Sequence, residues 1–327
     1  MSTAAPGSTV LITDYAWPDV EVERRVIEGA GFRLVAGPAA PASAAQIEAL
    51  VKEHQPAGIL TNWAPVSAKA VGLSPNLRII GRLGVGLDNI AVDEATRRGI
   101  WVTNVPDYCF EEVADHSLGM LLSFTRGLMH FDREVKAGRW EPSTARLLRL
   151  STLTVGIVGY GRIGRSTARK LNGFGARVLA YTRSPQAENG VEFVALDSLL
   201  RESDAVIVHI PLTPETKHLF NRERFATMKR GAFIVNVSRG AVIDTQALIE
   251  ALQSGQLGGA ALDVLENEPT VPPALLALPN VMITPHTAFT SDASLLELRT
   301  WASEEIVRVL QGQPPKEGRN KPALASS

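Results

Sequence analysis

The sequence carries a single cysteine, Cys109, among its 327 residues. One thiol excludes an intramolecular disulfide framework and suits a reducing compartment, so a cytoplasmic location is expected. An excess of charge of one sign is also missing. Thirty-three Lys and Arg stand against 34 Asp and Glu, a formal net charge of −1. That balance leaves no electrostatic footprint for nucleic acid or an acidic membrane. No apolar run approaches the roughly 20 residues needed to cross a bilayer. The start, Met1-Ser2-Thr3-Ala4-Ala5-Pro6, lacks a basic segment followed by an apolar core, so no signal peptide is expected. No self-similarity of solenoid period is found either.

What is present is an ordinary globular composition, 45% hydrophobic and 20% charged. It is long enough for one large or two moderate domains. Short apolar runs at 9–13, 32–36, 58–61 and 77–82 read as strands, with helical spacing at 20–31 and 44–53 between them. Such alternation predicts a parallel sheet covered on both faces. A long helical stretch over 113–136 follows. A second alternation then begins with a strand at 152–158, a helix at 163–173 and a strand at 177–181. Further strands are expected at 205–209, 233–236, 260–263 and 281–284, and a last helix at 293–311. Residues 312–327, rich in Pro, Lys and Ser, read as a frayed tail.

Gly159-Tyr160-Gly161-Arg162-Ile163-Gly164 lies between a predicted strand and a predicted helix. In that context the first glycine permits a tight turn and the second lets backbone approach a pyrophosphate. The third lets helix and strand pack closely, and the helix N-terminus offers N–H groups to the anion. A bound dinucleotide is therefore expected. The next strand ends in Thr182-Arg183-Ser184, with no carboxylate to take both ribose hydroxyls of NAD. A guanidinium flanked by two hydroxyls suits a 2′-phosphate, so NADP(H) is expected, with NAD(H) left open.

Three more segments fall at predicted strand ends, where open α/β sheets bind ligands. They are Asn236-Val237-Ser238-Arg239-Gly240, the run from Leu262 and Asp263 to Glu268-Pro269, and Thr284-Pro285-His286-Thr287. With the glycine turn and the upstream Gly84-Val85-Gly86-Leu87-Asp88-Asn89, this order of motifs resembles the D-isomer-specific 2-hydroxyacid dehydrogenase family over about residues 9–311. Within it, Val105-Pro106-Asp107-Tyr108-Cys109 and Glu111-Glu112-Val113-Ala114-Asp115-His116 look most like C-terminal-binding-protein-like members.

The resemblance implies two doubly wound α/β domains with the active site in the cleft between them. A substrate-binding, flavodoxin-like domain would comprise 1–103 plus 290–327. A Rossmann dinucleotide-binding domain, inserted into it, would span 104–289, with a homodimer contact near 104–140. It also implies Arg239, Glu268 and His286 as the catalytic set. Imidazolium is a natural proton donor near neutral pH, a carboxylate beside it favours that form and orients it, and a guanidinium can hold a carboxylate and polarise a keto oxygen. Residue types alone leave Glu266 as a rival partner for His286; the family's Arg-to-Glu spacing selects Glu268. Backbone amides at Val85 and Gly86 would take the substrate carboxylate. Asp263 would hold the nicotinamide carboxamide, with Thr213 and Val237 near the dinucleotide.

The side-chain pocket would be shaped by Thr61-Asn62-Trp63 and Phe289, with Asn62 and Arg82 favouring a polar or anionic substituent and Trp63 and Phe289 an apolar one. Formate-oxidising relatives carry Gln where this chain has Glu268, and phosphite-oxidising ones a lysine near Val85. Reduction of a small 2-keto acid is therefore implied, with no metal. A non-catalytic, dinucleotide-sensing corepressor is the rival. His54, His116, His130, His209 and His218 are assigned no catalysis, and Cys109 is expected to be inert.

Overall fold

A computed structural model of the chain describes residues 3–322. Cys109–Thr290 forms one compact unit, and the described residues on either side of it form another. The flanking unit runs through β1 (Thr9–Ile12), α1 (Glu21–Gly29), β2 (Arg33–Ala36), α2 (Ala44–His54), β3 (Gly58–Thr61), α3 (Ala68–Gly72), β4 (Ile79–Arg82), α4 (Val92–Arg97) and β5 (Trp101–Thr103). The chain then crosses to the other unit with α5 (Phe110–Thr125) and α6 (Leu128–Lys136). There follow β6 (Thr154–Val158), α7 (Arg162–Gly173), β7 (Arg177–Tyr181), β8 (Glu192–Phe193), α8 (Leu196–Glu202) and β9 (Ala205–Val208). Next come α9 (Arg222–Thr227), β10 (Ala232–Asn236), α10 (Thr245–Gln253), β11 (Leu257–Leu262), α11 (Pro273–Leu276) and β12 (Val281–Ile283). A return to the flanking unit is made by α12 (Asp292–Leu310).

Both sheets are parallel, as the alternation of apolar runs and helices requires. The flanking unit orders its strands β2-β1-β3-β4-β5, and the inserted unit β12-β11-β10-β9-β6-β7-β8. β1, β4, β9 and β10 are buried along their whole length, which is why they read as mainly apolar runs, with Arg82 and Asn236 the polar residues at the ends of β4 and β10. In the inserted unit the winding reverses between β6 and β9, the place where such sheets open a crevice for a ligand.

Two expectations are corrected. The long helical stretch expected over 113–136 is interrupted, because Gly127 turns the chain into the left-handed region at φ +63 between α5 and α6. The tail is not frayed over its described part. Gly318 makes an antiparallel bridge to Thr103, Arg319 N–H donates to Val102 O at 2.8 Å, and Val102 N–H donates to Asn320 Oδ1 at 2.9 Å. Asn320 Nδ2 reaches Ile100 O at 2.9 Å. The physical reason is that β5 is an edge strand whose backbone groups need partners, and the tail supplies them. The rest of the expected tail, 323–327, lies outside the described residues.

Among the described residues no helix is long and apolar enough to cross a membrane.

Candidate active site

The glycine turn leaves β6 at the reversal point and enters α7. Each of its glycines has a different reason. Gly159 sits at φ +102, and a Cβ there would meet His209 O at 2.5 Å. Gly164 lies against the turn, where a Cβ would approach Gly159 O to 2.3 Å. Gly161 has an ordinary backbone, φ −86 and ψ −155, and a Cβ on it would meet no atom within 4 Å. The protein's own packing does not demand a glycine at 161, and the space beside it is open. Gly161 gives α7 no side-chain cap, leaving the helix's first N–H groups to an anion. Arg162 is exposed on the first helical turn and Ile163 is half-buried behind it. The turn fits a dinucleotide.

His209, given no role from sequence, packs behind this turn. Its Nε2 lies 3.0 Å from Thr167 Oγ1 on α7, and Nδ1 is sealed from solvent with no partner among the described residues. Burial pushes its pKa down to about 3, so the ring is neutral.

Thr182, Arg183 and Ser184 follow β7, the last two exposed. Thr213 stands in a half-exposed turn beyond β9, its N–H donating to Thr216 Oγ1 at 2.7 Å. Hydrogen bonds from Thr213 and from its own backbone, with the charge of Arg183, hold the Glu215 carboxyl below its ordinary value against the opposing effect of desolvation.

The remaining strand ends converge. Asn236, at the end of β10, clamps the next turn: its Nδ2 donates to Arg239 O at 3.0 Å and its Oδ1 accepts from Ser238 Oγ at 2.8 Å. Val237 is buried beside it, and half-buried Arg239 donates from Nη1 to Ser238 O at 2.8 Å. A Cβ on Gly240 would fall 1.9 Å from the Leu265 carbonyl carbon, so the loop carrying the two glutamates lies directly on this glycine.

Geometry separates those glutamates. Glu266 spends one carboxylate oxygen on His218 Nε2 at 2.6 Å and the other on Thr245 Oγ1 at 2.8 Å. Glu268 places Oε2 2.8 Å from His286 Nδ1 and accepts the Leu265 N–H at 3.0 Å on Oε1. Burial acts to raise the Glu268 carboxyl, but the hydrogen bond and charge of His286, the Leu265 N–H and the charge of Arg239 outweigh it and keep it below the usual carboxylate value. With Nδ1 engaged, Nε2 is the ring nitrogen of His286 left for proton exchange. Phe289 meets the imidazole edge-on at 6.3 Å.

His286 itself lies at φ +52, a sparsely populated backbone state for a residue with a side chain. Asp263 holds it there. The backbone carbonyl of Asp263 accepts the His286 N–H at 2.8 Å, and its buried carboxylate accepts from Thr287 N–H at 2.9 Å and Ala288 N–H at 3.0 Å. Asp263, expected as a cofactor contact, thus also holds the loop that carries His286; an acid at a strand end is the available sequence signal for it.

In the flanking unit Asp14, fully buried after β1, does the same for another loop. Its carboxylate accepts the N–H groups of Asn62 at 3.0 Å, Trp63 at 2.8 Å and Ala64 at 3.1 Å. Asn62 is 2% exposed, and its Oδ1 accepts from Arg82 Nη1 at 3.1 Å. These two expected pocket residues therefore bond each other. Trp63 is half-buried, Val85 is exposed and Gly86 half-exposed, and Val85 O accepts from Asn104 Nδ2 at 2.5 Å.

The family model for the D-isomer specific 2-hydroxyacid dehydrogenase NAD binding domain matches residues 118–288. The chain belongs to this family: it is an oxidoreductase that passes hydride between a nicotinamide dinucleotide and a small 2-keto or 2-hydroxy acid. Among individual relatives, it is 41% identical over 261 residues to a glyoxylate reductase of Korarchaeum cryptofilum, covering 77% of this chain and 78% of that one. A D-lactate dehydrogenase of Aquifex aeolicus, complexed with NAD and lactic acid, superposes with a TM-score of 0.86 at 29% identity, over 97% of this chain and all of that one. An NADPH-dependent glyoxylate/hydroxypyruvate reductase of Sinorhizobium meliloti, in complex with NADP and malonate, gives 0.84 at 32% identity, over 95% and 96% of the two chains.

Proposed function

We propose that the protein is a cytoplasmic, NADPH-dependent reductase of small 2-keto acids such as glyoxylate or hydroxypyruvate, yielding the D-hydroxy acid where the product is chiral. The observation that carries the catalytic reading is the Glu268–His286 pair, 2.8 Å apart, with Arg239 close enough to act on the same carboxylate. A nicotinamide dinucleotide, when bound, would supply the hydride. His286 gives its Nε2 proton to the keto oxygen as hydride reaches the carbon, and Glu268 holds the ring and stabilises its charged form. Arg239 binds the substrate carboxylate and polarises the carbonyl. In the flanking unit, the backbone amides at Val85 and Gly86 are the proposed contacts for a carboxylate. Gly159, Gly161, Arg162, Ile163 and Gly164 hold the pyrophosphate, and Thr213, Val237 and Asp263 flank the rest of the dinucleotide. The domain roles follow: the flanking unit binds substrate and the inserted unit binds cofactor.

The finer cofactor choice rests on Thr182-Arg183-Ser184. Arg183 is exposed, flanked by hydroxyls, and no carboxylate occupies the strand end. The S. meliloti reductase that superposes on this chain is described with NADP. Initial rates of NADPH and NADH oxidation with glyoxylate, hydroxypyruvate, pyruvate and longer 2-keto acids test both parts. Turnover of none of them, despite dinucleotide binding, would favour a cofactor sensor instead. Replacing Arg183 with Ala should raise the Kd for NADPH about tenfold, the scale of one charge-assisted contact, and leave NADH nearly unchanged. An equal change for both cofactors removes the 2′-phosphate assignment.

A homodimer is part of the same proposal. Leu128, Met129, Val135, Trp140 and Leu147 crowd into one short segment, with Trp140 82% exposed. Apolar exposure on this scale marks a surface that a partner covers.

A further inference from the structure

Of the histidines assigned no catalysis, His116 lies nearest the catalytic loop's supports. It projects from α5, with Nε2 3.0 Å from Thr284 Oγ1 and 3.6 Å from Asp263 Oδ1. Thr284 Oγ1 lies 2.5 Å from Asp263 Oδ1. Two acceptors do not hold that separation without a proton between them, and Thr284 has only one hydroxyl proton. The proton therefore points to Asp263. Thr284 Oγ1 can then only accept from His116, which must donate from Nε2.

The result is a directed chain, His116 Nε2–H to Thr284 Oγ1–H to Asp263 Oδ1, in which each bond polarises the next. Its end is the carboxylate that holds the Thr287 and Ala288 N–H groups and, through its backbone carbonyl, His286. The same contacts help to hold His286 at φ +52, so slack in the carboxylate becomes misdirection of the imidazole.

We propose that His116 is a positioning residue for the reaction: through Thr284 and Asp263 it holds the left-handed backbone that aims His286 at Glu268. The proposal rests on the reading of His286 as the group that exchanges a proton with substrate. It gives the first helix of the inserted unit a share in active-site geometry across 168 positions of sequence. Neither partner touches the reacting atoms.

The test uses the full chain and three variants. His116→Leu removes the donor, His116→Gln returns an amide N–H near the position of Nε2, and Thr284→Val removes the middle hydroxyl. Amide hydrogen exchange at Thr287 and Ala288, read by NMR without substrate, should quicken at least roughly tenfold in His116→Leu and Thr284→Val and return to within about threefold of the parent in His116→Gln. With glyoxylate and NADPH, kcat should fall about tenfold or more in the first two, KM should move less than about threefold, and Gln should rescue. The double variant His116→Leu/Thr284→Val should be no worse than the worse single one. Unchanged exchange in His116→Leu overturns the proposal, as does Gln behaving like Leu at equal Tm, or strictly additive losses. If the parent turns over no keto acid, the function above fails, while the exchange rates still decide the case of His116.

Discussion

The glycine turn allows a prediction in which three neighbouring substitutions of the same kind part ways. Gly164→Ala places a methyl 2.3 Å from Gly159 O, about 1 Å inside ordinary contact at 3.4 Å. Neither atom is the end of a flexible side chain, so helix and turn must separate. Overpacking of this kind costs about 1–3 kcal/mol. In a unit of this size each kcal/mol lowers Tm by roughly 2–4 °C, giving a drop of roughly 2–12 °C. Gly159→Ala adds strain at φ +102 to a contact of 2.5 Å and should be at least as damaging. Gly161→Ala meets nothing, and its only cost is the poorer helix cap that Ala makes, about 1 kcal/mol or less. It should therefore melt within about 3 °C of the parent yet bind dinucleotide at least tenfold more weakly, because the methyl stands where the pyrophosphate must come. Calorimetry and fluorescence titration with NADPH measure the two axes. The reasoning is refuted if Gly161→Ala keeps full NADPH affinity, or if it melts as low as Gly164→Ala.

His286→Ala should lower kcat by about a hundredfold or more, the usual worth of a general acid, while leaving the Kd for NADPH within about threefold; equal losses in both would speak against a proton-transfer role. His209 should make the inserted unit acid-sensitive. Because burial holds its pKa near 3 against 6.5 when unfolded, the stability from keeping it neutral is complete above about pH 6.5 and is lost as pH falls toward 3. By linkage the loss between pH 7 and 5 is at most about 2 kcal/mol, and His209→Gln should abolish that part of the pH dependence in denaturant melts. An unchanged pH dependence would mean that the ring ionises freely in the folded protein. Asp14→Asn turns an amide toward the N–H groups of Trp63 and Ala64, and should destabilise the flanking unit by about 2–4 kcal/mol, as buried donors lose an ionised acceptor. Dinucleotide affinity, a property of the other unit, should not change in that variant.

Much of this architecture was legible in the amino-acid order because it is written in periodicity. β1, β3, β6 and β9 are short apolar runs bounded by helical spacing, and nothing in the fold overrides that signal. What escaped was short or dependent on distant partners. α3 and α4, at five and six residues, are too brief for an amphipathic stripe to declare itself. β5 has only three residues, and it is held in place by β4 on one side and by residues 318–320 from the far end of the sequence. The helix over α5 and α6 looked continuous because its apolar positions continue past Gly127, whereas the break is decided by one backbone angle. At the site, the family resemblance indicated Arg239, Glu268 and His286, whereas residue types alone left Glu266 open as the partner of His286. Of the groups that support loops within each unit, Asp14, His116 and His209 carry no local pattern, and Asp263 carries only its place at a strand end. Their significance lies in the backbone groups that they meet after folding.

The flanking unit draws its core from both ends of the polypeptide. α12 packs on α1, β3 and β4, and residues 318–320 finish the edge of β5. A ribosome delivers β1 to β5 first, then all of Cys109–Thr290, and only afterwards the helix that walls in the first sheet. The inserted unit can thus complete its core while the older half of the nascent chain still waits with an uncovered apolar face. Of the two units, the one begun earlier is sealed later, and until then its first sheet lacks the wall that α12 provides.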